Sequence, residues 1–313
     1  MFKFVKRRIL ITCYFIVLMG SLYAGSVSIK TFLAIFVLVA WYLHAASSND
    51  YADRKIDEVN LKGAKNRPLV SKSITSKNLW IGHVLAGVVS LLLSLVYGPP
   101  ALLLTFAVLL LDYAYSFRPM RISDRGIVSQ MMLPIAYVLL PLSLGYWSVD
   151  TTSPYPWLLL AGLYTGFIAR LMLKDFRDVI GDEMFGKKTF LLRHGRLATC
   201  YVSAFFGFVS LIIMGFVISF SPGASIVLVT GHALVSWFLI ILSRTSKIDH
   251  QVKLVNIIAK TANGSVIVIL SFYFLNMINA DEQSMIIVPL IIGSIWYLYV
   301  WTRSKNDIQT KFS

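Results

Sequence analysis

Charged residues are scarce in this chain, and acidic residues are the scarcest. Charged side chains make up 14% of the 313 residues, whereas about 25% is usual for a soluble domain. Hydrophobic residues make up 57% of the chain, and the mean hydropathy is +0.72. These values exclude an ordinary soluble globular protein and predict an integral membrane protein.

Cysteine is equally scarce, and no separable soluble domain or low-complexity segment is visible. Cys13 and Cys200 lie in or beside apolar runs and have no metal-ligand spacing, so we expect buried thiols. We predict one membrane domain over residues 1–313. Weak similarity suggests two related halves, at about 9–126 and 127–243, followed by C-terminal helices within 254–302.

Long apolar runs dominate the chain. A bilayer core needs about 20 apolar residues per helix, and lipid leaves only hydrogen-bonded helices or closed barrels as spanning structures. The runs predict an all-α bundle of nine to ten transmembrane helices. They lie at about 9–26, 31–49, 79–97, 100–117, 127–147, 155–174, 198–220, 224–243, 254–276 and 285–302.

Basic residues are concentrated on alternate connections between these runs. If the N-terminus is cytoplasmic, 26 of the 29 Lys and Arg residues fall on the cytoplasmic side, as the positive-inside rule requires. The net charge of +14 is therefore a topology signal, and we expect no nucleic-acid partner. The expected location is a bacterial inner membrane, with the N-terminus and the active site on the cytoplasmic side.

Eight of the fifteen acidic residues fall in two short windows, each directly after an apolar run. Within each window the carboxylates are spaced three and then four residues apart, which places them on one face of a helix. Such carboxylates repel one another unless a hard cation such as Mg²⁺ lies between them. A solvated helix end explains one window alone, but two matching windows favour a metal site. The carboxylates are Asp50, Asp53 and Asp57 in the first window, and Asp175, Asp178 and Asp182 in the second.

Lysine and arginine residues accompany both windows. Carboxylates that hold Mg²⁺ beside basic side chains suit a diphosphate leaving group, because metal and bases together neutralise its charge. Inside-topology signalling is the alternative role for any single base. The residues concerned include Arg67, Lys174 and Lys187, while Asn49 is either a metal ligand or a helix cap.

Further candidates lie near the end of the fourth span. Tyr115, Arg118 and Arg121 could line the rim of the same cavity, or they could be an interfacial aromatic with snorkelling arginines. Asp112 is an ionisable group within the span and therefore a candidate functional residue. His44, one turn before the first window, is better explained as a hydrogen-bonded packing residue.

The two motifs resemble those of a known family. Asn49-Asp50-x-x-Asp53-x-x-x-Asp57 and Asp178-x-x-x-Asp182 are similar to the paired aspartate-rich motifs of the UbiA superfamily of intramembrane prenyltransferases. The loops at 66–69 and 186–189 also resemble family loops. The family usually has nine spans, so an additional helix at 285–302 leaves the subfamily open.

The resemblance implies a helical bundle with a central cavity open to lipid. A polyprenyl diphosphate would bind there through Mg²⁺, ionise, and alkylate a small acceptor, usually an aromatic ring of the quinone pathways. By motif position the resemblance implies metal ligands at Asn49, Asp53, Asp57, Asp178 and Asp182, with Asp50 also catalytic. It implies diphosphate binding by Asn49, Arg67, Tyr115, Arg118, Arg121, Lys174, Asp175 and Lys187.

Other functions are compatible with the same pattern. A terpene cyclase would capture the cation within its own prenyl chain. A phosphoribosyltransferase-like enzyme would join a phosphorylated sugar to a lipid phosphate. A cation-coupled transporter is the non-enzymatic alternative, although its acids would be expected deeper in the spans. Prenyl chain length, acceptor and oligomeric state stay open.

Overall fold

In a computed structural model, the backbone is described for residues 7–60 and 69–309 and the side chains for residues 9–59 and 69–304. These residues are helical with no strand, which confirms the predicted all-α fold. The helices are α1 (Arg7–Tyr23), α2 (Ile29–Ala52), α3 (Arg54–Asn60), α4 (Ser76–Ser94), α5 (Pro99–Ser116), α6 (Ile127–Pro134), α7 (Leu140–Tyr146), α8 (Trp157–Leu171), α9 (Val179–Met184), α10 (Phe190–Val217), α11 (Pro222–Arg244), α12 (Ile248–Met277) and α13 (Glu282–Gln309).

The predicted spans correspond to these helices. Within the described residues, nine helical stretches are long and apolar enough to cross a membrane, and the shorter apolar helix Ile9–Tyr23 lies at the first predicted span. The predicted fifth span is one helical stretch, Ile127–Tyr146, that contains a π-helical turn at Ile135–Leu139. Pro134 immediately precedes this turn, and because proline lacks an N–H donor it favours such a local rearrangement.

The chain forms two compact units, of which the first comprises residues 1–153 and 178–193. In this unit α2 packs on α4 and α5, and α1 packs on α7. Trp41 of α2 is fully buried in its hydrophobic core. Gly145 lets α1 and α7 approach closely, since a Cβ there would overlap the Val17 carbonyl. The first unit therefore rests on tight helix packing.

A pair of histidines joins α2 to α4. The rings of His44 and His83 stack with their centroids 4.0 Å apart. The two Nδ1 atoms lie 3.1 and 3.0 Å from the backbone oxygen of the other histidine. Gly87 makes room for the His44 ring, because a Cβ there would lie 2.8 Å from Nδ1. This confirms the interpretation of His44 as a packing residue.

The second unit comprises residues 154–177 and 194–313, and in it α11, α12 and α13 pack on one another. Tyr297 of α13 donates a hydrogen bond from its hydroxyl to the Val227 oxygen at 3.0 Å. Trp296 donates from Nε1 to the Lys260 oxygen at 2.9 Å. The tenth predicted helix is thus an integral part of this unit. The single-domain organisation and the two related halves stay predictions, because compact units describe contacts and not ancestry.

Candidate active site

The first acidic motif lies across a kink between two helices. Helix α2 ends at Ala52, Asp53 is its C-cap with φ −99° and ψ 12°, and α3 begins at Arg54. The Asp53 N–H donates to the Asn49 oxygen at 2.9 Å, and the Asp57 N–H donates to the Asp53 oxygen at 2.8 Å. The helical hydrogen-bond spacing therefore continues through the kink. Asp50, Asp53 and Asp57 are divided between α2, its cap and α3, and their arrangement on one helix face stays a prediction.

Burial distinguishes the residues of this motif. Asp50 and Asp53 are buried, with 4% and 7% exposure, whereas Asp57 on α3 is half-buried. The Asn49 amide donates from Nδ2 to Asp53 Oδ2 at 3.3 Å. Asn49 therefore acts as a partner of Asp53, and metal ligation by its carbonyl oxygen stays a prediction.

The second motif is similarly divided. Asp175 lies in a short 3₁₀ turn, Asp178 precedes α9, and Asp182 is within α9. Asp175 is buried and forms an ion pair with Lys174 Nζ at 2.6 Å. Asp178 is half-buried and Asp182 is buried at 4% exposure. The segment from Asp178 onwards belongs to the first unit, where α9 packs on α3.

A lysine joins the two motifs. Lys187 Nζ lies 2.9 Å from Asp53 Oδ2 and 3.3 Å from Asp182 Oδ1. The side chains of Lys187, Asp53 and Asp182 are 11%, 10% and 6% exposed, so the ion pairs are strongly shielded from water. Acids that lie far apart in the sequence are therefore neighbours in the first unit.

An arginine holds the other oxygen of Asp53. One terminal nitrogen of Arg121 lies 2.9 Å from Asp53 Oδ1, and its Nε lies 3.0 Å from Asp124 Oδ2. Arg121 has φ 35° and ψ 62°, the left-handed conformation that costs free energy for a residue other than glycine. Its N–H donates to the Phe117 oxygen at 2.8 Å. A constrained turn therefore fixes this guanidinium on the first motif.

Asp53, Asp182, Lys187 and Arg121 form a cluster of charged side chains. The oxygen ligands that this cluster offers are of the kind that Mg²⁺ prefers. Among the described residues, no three His, Cys, Asp or Glu side chains converge in a way that could hold a metal ion. Mg²⁺, however, is commonly bound by one or two carboxylates, with substrate phosphates and waters completing the shell. Asp53 and Asp182 share one cationic partner, so each motif contributes a carboxylate to the surroundings of the same ammonium, and one of them suffices for that mode.

The remaining predicted residues are less closely connected to the cluster. Arg118 is exposed and Tyr115 is half-buried, and within the described side chains neither makes a hydrogen bond or ion pair with Asp53 or Asp182. Arg67 and its loop at 61–68 lie outside the described residues. Binding of diphosphate by these three residues stays a prediction.

Among the described side chains, Asp124 and Trp41 contact predicted residues but were not named in the sequence analysis. Asp124 shares Arg121 with Asp53, and its spacing of three residues from Arg121 was the available signal. Trp41 donates from Nε1 to Asp112 Oδ2 at 2.8 Å. A tryptophan in an apolar run looks like any packing residue, so nothing in the sequence indicated that bond.

Sequence comparisons assign the chain to a family of known enzymes. Residues 13–264 match the UbiA prenyltransferase family. Digeranylgeranylglyceryl phosphate synthase of Pyrococcus horikoshii is 26% identical over 198 residues, which cover 62% of this chain and 69% of the relative. The 4-hydroxybenzoate octaprenyltransferase of Citrobacter koseri is 40% identical over 87 residues, or 27% of this chain and 30% of that relative.

Solved structures share the fold. A UbiA homologue from Aeropyrum pernix K1 superposes with a TM-score of 0.66 and 17% identity, covering 87% of this chain and 99% of that one. A UbiA homologue from Archaeoglobus fulgidus bound to DMAPP and Mg²⁺ has a TM-score of 0.56 and 13% identity, with coverage of 95% and 96%. With paired aspartate motifs, an all-helical fold and a family match over most of its length, the chain belongs to the UbiA prenyltransferase family.

Proposed function

We propose that this protein catalyses Mg²⁺-dependent transfer of a prenyl group from a polyprenyl diphosphate to a small acceptor. The observation that carries the proposal is the contact of Lys187 with both Asp53 and Asp182. This contact brings the two aspartate motifs together beside Arg121, a second cation. Clustered carboxylates and bases are the groups that a metal-bound diphosphate requires.

The reaction breaks the bond between the allylic carbon and the diphosphate oxygen, and the electron pair leaves with the diphosphate. Mg²⁺ supplies charge neutralisation to that leaving group. Arg121 and Lys187 would donate hydrogen bonds to its oxygens as negative charge develops. The acceptor then bonds to the allylic cation and loses a proton. Asn49, Asp53, Asp57, Asp178 and Asp182 would hold the metal, directly or through water, with Asp50 beside them.

The acceptor we favour is an aromatic ring that carries a hydroxyl group. The local 40% identity to an enzyme named for 4-hydroxybenzoate supports that class. A prenylated glyceryl phosphate is the second candidate, supported by the longer match to digeranylgeranylglyceryl phosphate synthase. Membrane lipid would surround the prenyl chain. The bias of 26 of 29 basic residues supports an active site on the cytoplasmic side, and the membrane we propose is a bacterial inner membrane.

A reconstituted assay tests the proposal. The purified full chain in lipid nanodiscs would be incubated with Mg²⁺ and allylic diphosphates of several lengths. Each donor would be supplied alone, with 4-hydroxybenzoate, or with a prenylated glyceryl phosphate. We expect diphosphate release that depends on an acceptor, together with a prenylated product by mass spectrometry. Chelation of Mg²⁺ with EDTA should abolish turnover, and added Mg²⁺ should restore it.

The other outcomes separate the alternatives. Release without acceptor, together with a cyclic hydrocarbon, would indicate a cyclase. A separate incubation would supply a phosphorylated sugar and a lipid phosphate, and transfer only in that incubation would indicate a phosphoribosyltransferase-like enzyme. No release from any donor would contradict the proposal, and cation flux in proteoliposomes would then favour a transporter.

A further inference from the structure

The carboxylate that links the two motifs is fully engaged by cations and an amide. Arg121 lies on Oδ1 of Asp53 at 2.9 Å. Lys187 lies on Oδ2 at 2.9 Å, and the Asn49 amide also donates to that oxygen. These are the oxygens through which Asp53 would bind a metal ion. A metal that approaches Asp53 must therefore compete with existing partners.

Among the partners of Asp53, Lys187 competes most directly with a metal ion. Its ammonium contacts carboxylates of both motifs, so it lies on the side where the proposed metal would approach them. Mg²⁺ binds oxygen at about 2.0–2.1 Å, and two cations on the same oxygens repel each other strongly in a shielded site. Lys187 and Mg²⁺ therefore exclude each other from the shared face of Asp53 and Asp182.

The two cations differ in chemistry and in which carboxylates they contact. Arg121 lies beside Asp53 and Asp124 and has a left-handed backbone, whereas the Lys187 ammonium lies beside one carboxylate of each motif. A lysine ammonium is a point charge on a flexible four-carbon chain, while an arginine pairs in a rigid planar fork. Lys187 can therefore move to another anion while Arg121 stays in place.

We propose that Lys187 is an exchangeable counter-ion that makes metal binding depend on diphosphate. Its ammonium holds Asp53 and Asp182 together and blocks their shared face. A diphosphate takes over the ammonium, and the freed oxygens of Asp53 and Asp182 would then be able to hold Mg²⁺, which supplies charge neutralisation to the substrate. Metal alone consequently binds weakly, and the carboxylates take up metal only as the substrate binds. The inference rests on the proposed function and specifies the order of binding at the same site.

Direct measurement of metal binding tests this order without any turnover. Mn²⁺ would replace Mg²⁺, and free Mn²⁺ would be quantified by electron paramagnetic resonance with the full chain in nanodiscs and no diphosphate. We expect Lys187→Met to bind Mn²⁺ at least about tenfold more tightly than wild type, a factor of ten corresponding to about 1.4 kcal/mol. Asp53→Asn in the same background should remove the gain.

Lys188→Met is the matched control. It removes the same charge from the adjacent position, but the Lys188 side chain is exposed. It should leave Mn²⁺ affinity within about twofold of wild type, since exposed charges are screened by salt. An equal gain in Mn²⁺ affinity in both variants would mean that only the net charge of the protein matters, and it would overturn the proposal. Equal Mn²⁺ affinity of Lys187→Met and wild type would also overturn it.

Two further measurements keep the test decisive if Lys187→Met folds poorly. Lys187→Gln keeps a polar side chain, and Mn²⁺ should raise its thermal unfolding temperature more than that of wild type. Wild type alone also tests the idea, because stoichiometric, Asp53-dependent Mn²⁺ binding without diphosphate would overturn it. If prenyl transfer occurs but Lys187 variants gain no metal affinity, only this inference fails. If no allylic diphosphate is cleaved, the proposed function fails.

Discussion

Two buried carboxyl groups of the first unit have different surroundings. Asp53 lies at the kink after α2 and contacts two cations and an amide. Asp112 lies within α5 and accepts one hydrogen bond from the Trp41 indole. Within the described residues, no cationic side chain forms an ion pair with Asp112. The partners therefore differ in kind. Asp53 is paired with positively charged side chains, whereas Asp112 accepts a hydrogen bond from a neutral indole.

The difference distinguishes a proposed metal ligand from a helix-to-helix contact. In the proposed mechanism, transfer of Lys187 to a ligand would free an oxygen of Asp53 for the metal. The Trp41 indole is fixed in the core and can only donate its N–H, so its bond to Asp112 joins α2 to α5. An intramembrane acid is a candidate functional residue by default. The kind of partner that it has indicates whether a ligand could replace that partner.

Removal of charge at Asp53 should have the largest effect. Asp53→Asn keeps the shape but removes the carboxylate that Arg121 and Lys187 share, and with it a proposed metal ligand. We expect the rate of prenyl transfer per folded protein to fall on the order of a thousandfold, comparable with loss of a strong electrostatic contact in an active site. Diphosphate release at saturating donor is the measurement.

Asp124→Asn is the matched control for Asp53→Asn. Asp124 also pairs with Arg121 but does not contact Lys187 in the described structure. We expect a loss of tenfold or less, because Arg121 would keep its bond to Asp53. Comparable losses in both variants would mean that Arg121 alone matters, and that Asp53 has no separate metal role.

A change at Arg121 should have an intermediate effect. Arg121→Lys keeps the charge but cannot bond Asp53 and Asp124 at once with a planar fork. We expect about a tenfold rise in KM for the prenyl diphosphate with a smaller change in kcat, from loss of one charge-assisted hydrogen bond. A steady-state titration of the donor measures both constants. Unchanged KM would contradict a role for Arg121 in diphosphate binding.

The smallest effect on turnover should come from loss of the hydrogen bond between Trp41 and Asp112. Trp41→Phe removes the indole donor, and an unsatisfied buried acceptor costs about 1–3 kcal/mol of stability. We expect a lower thermal unfolding temperature but a transfer rate per folded protein within about threefold of wild type. A double-mutant cycle of Trp41→Phe and Asp112→Leu separates the free energy of the hydrogen bond from that of the cavity which the smaller ring leaves. Loss of turnover without loss of stability would instead assign Asp112 to the active site.

Hydropathy and motif spacing predicted much of this structure. Apolar runs predicted the spanning helices because a bilayer imposes length and internal hydrogen bonding on each one. Asp53, Asp182, Arg121 and Lys187 were all named as candidates from residue type and position, and the structure makes each a neighbour of another; their roles in binding stay predictions. The kink at Asp53 was missed, because local spacing cannot distinguish one straight helix from two helices joined at a cap.

The sequence by itself determined that the chain is a membrane bundle with two separated aspartate motifs, since hydropathy and the scarcity of acids are properties of composition and order. Only the tertiary structure decided which cation serves which carboxylate. Lys187 reaches both Asp53 and Asp182 because α9 packs on α3, and Trp41 reaches Asp112 because α2 packs on α5. Such contacts depend on helix packing between distant segments, and no local pattern in the chain encodes that packing.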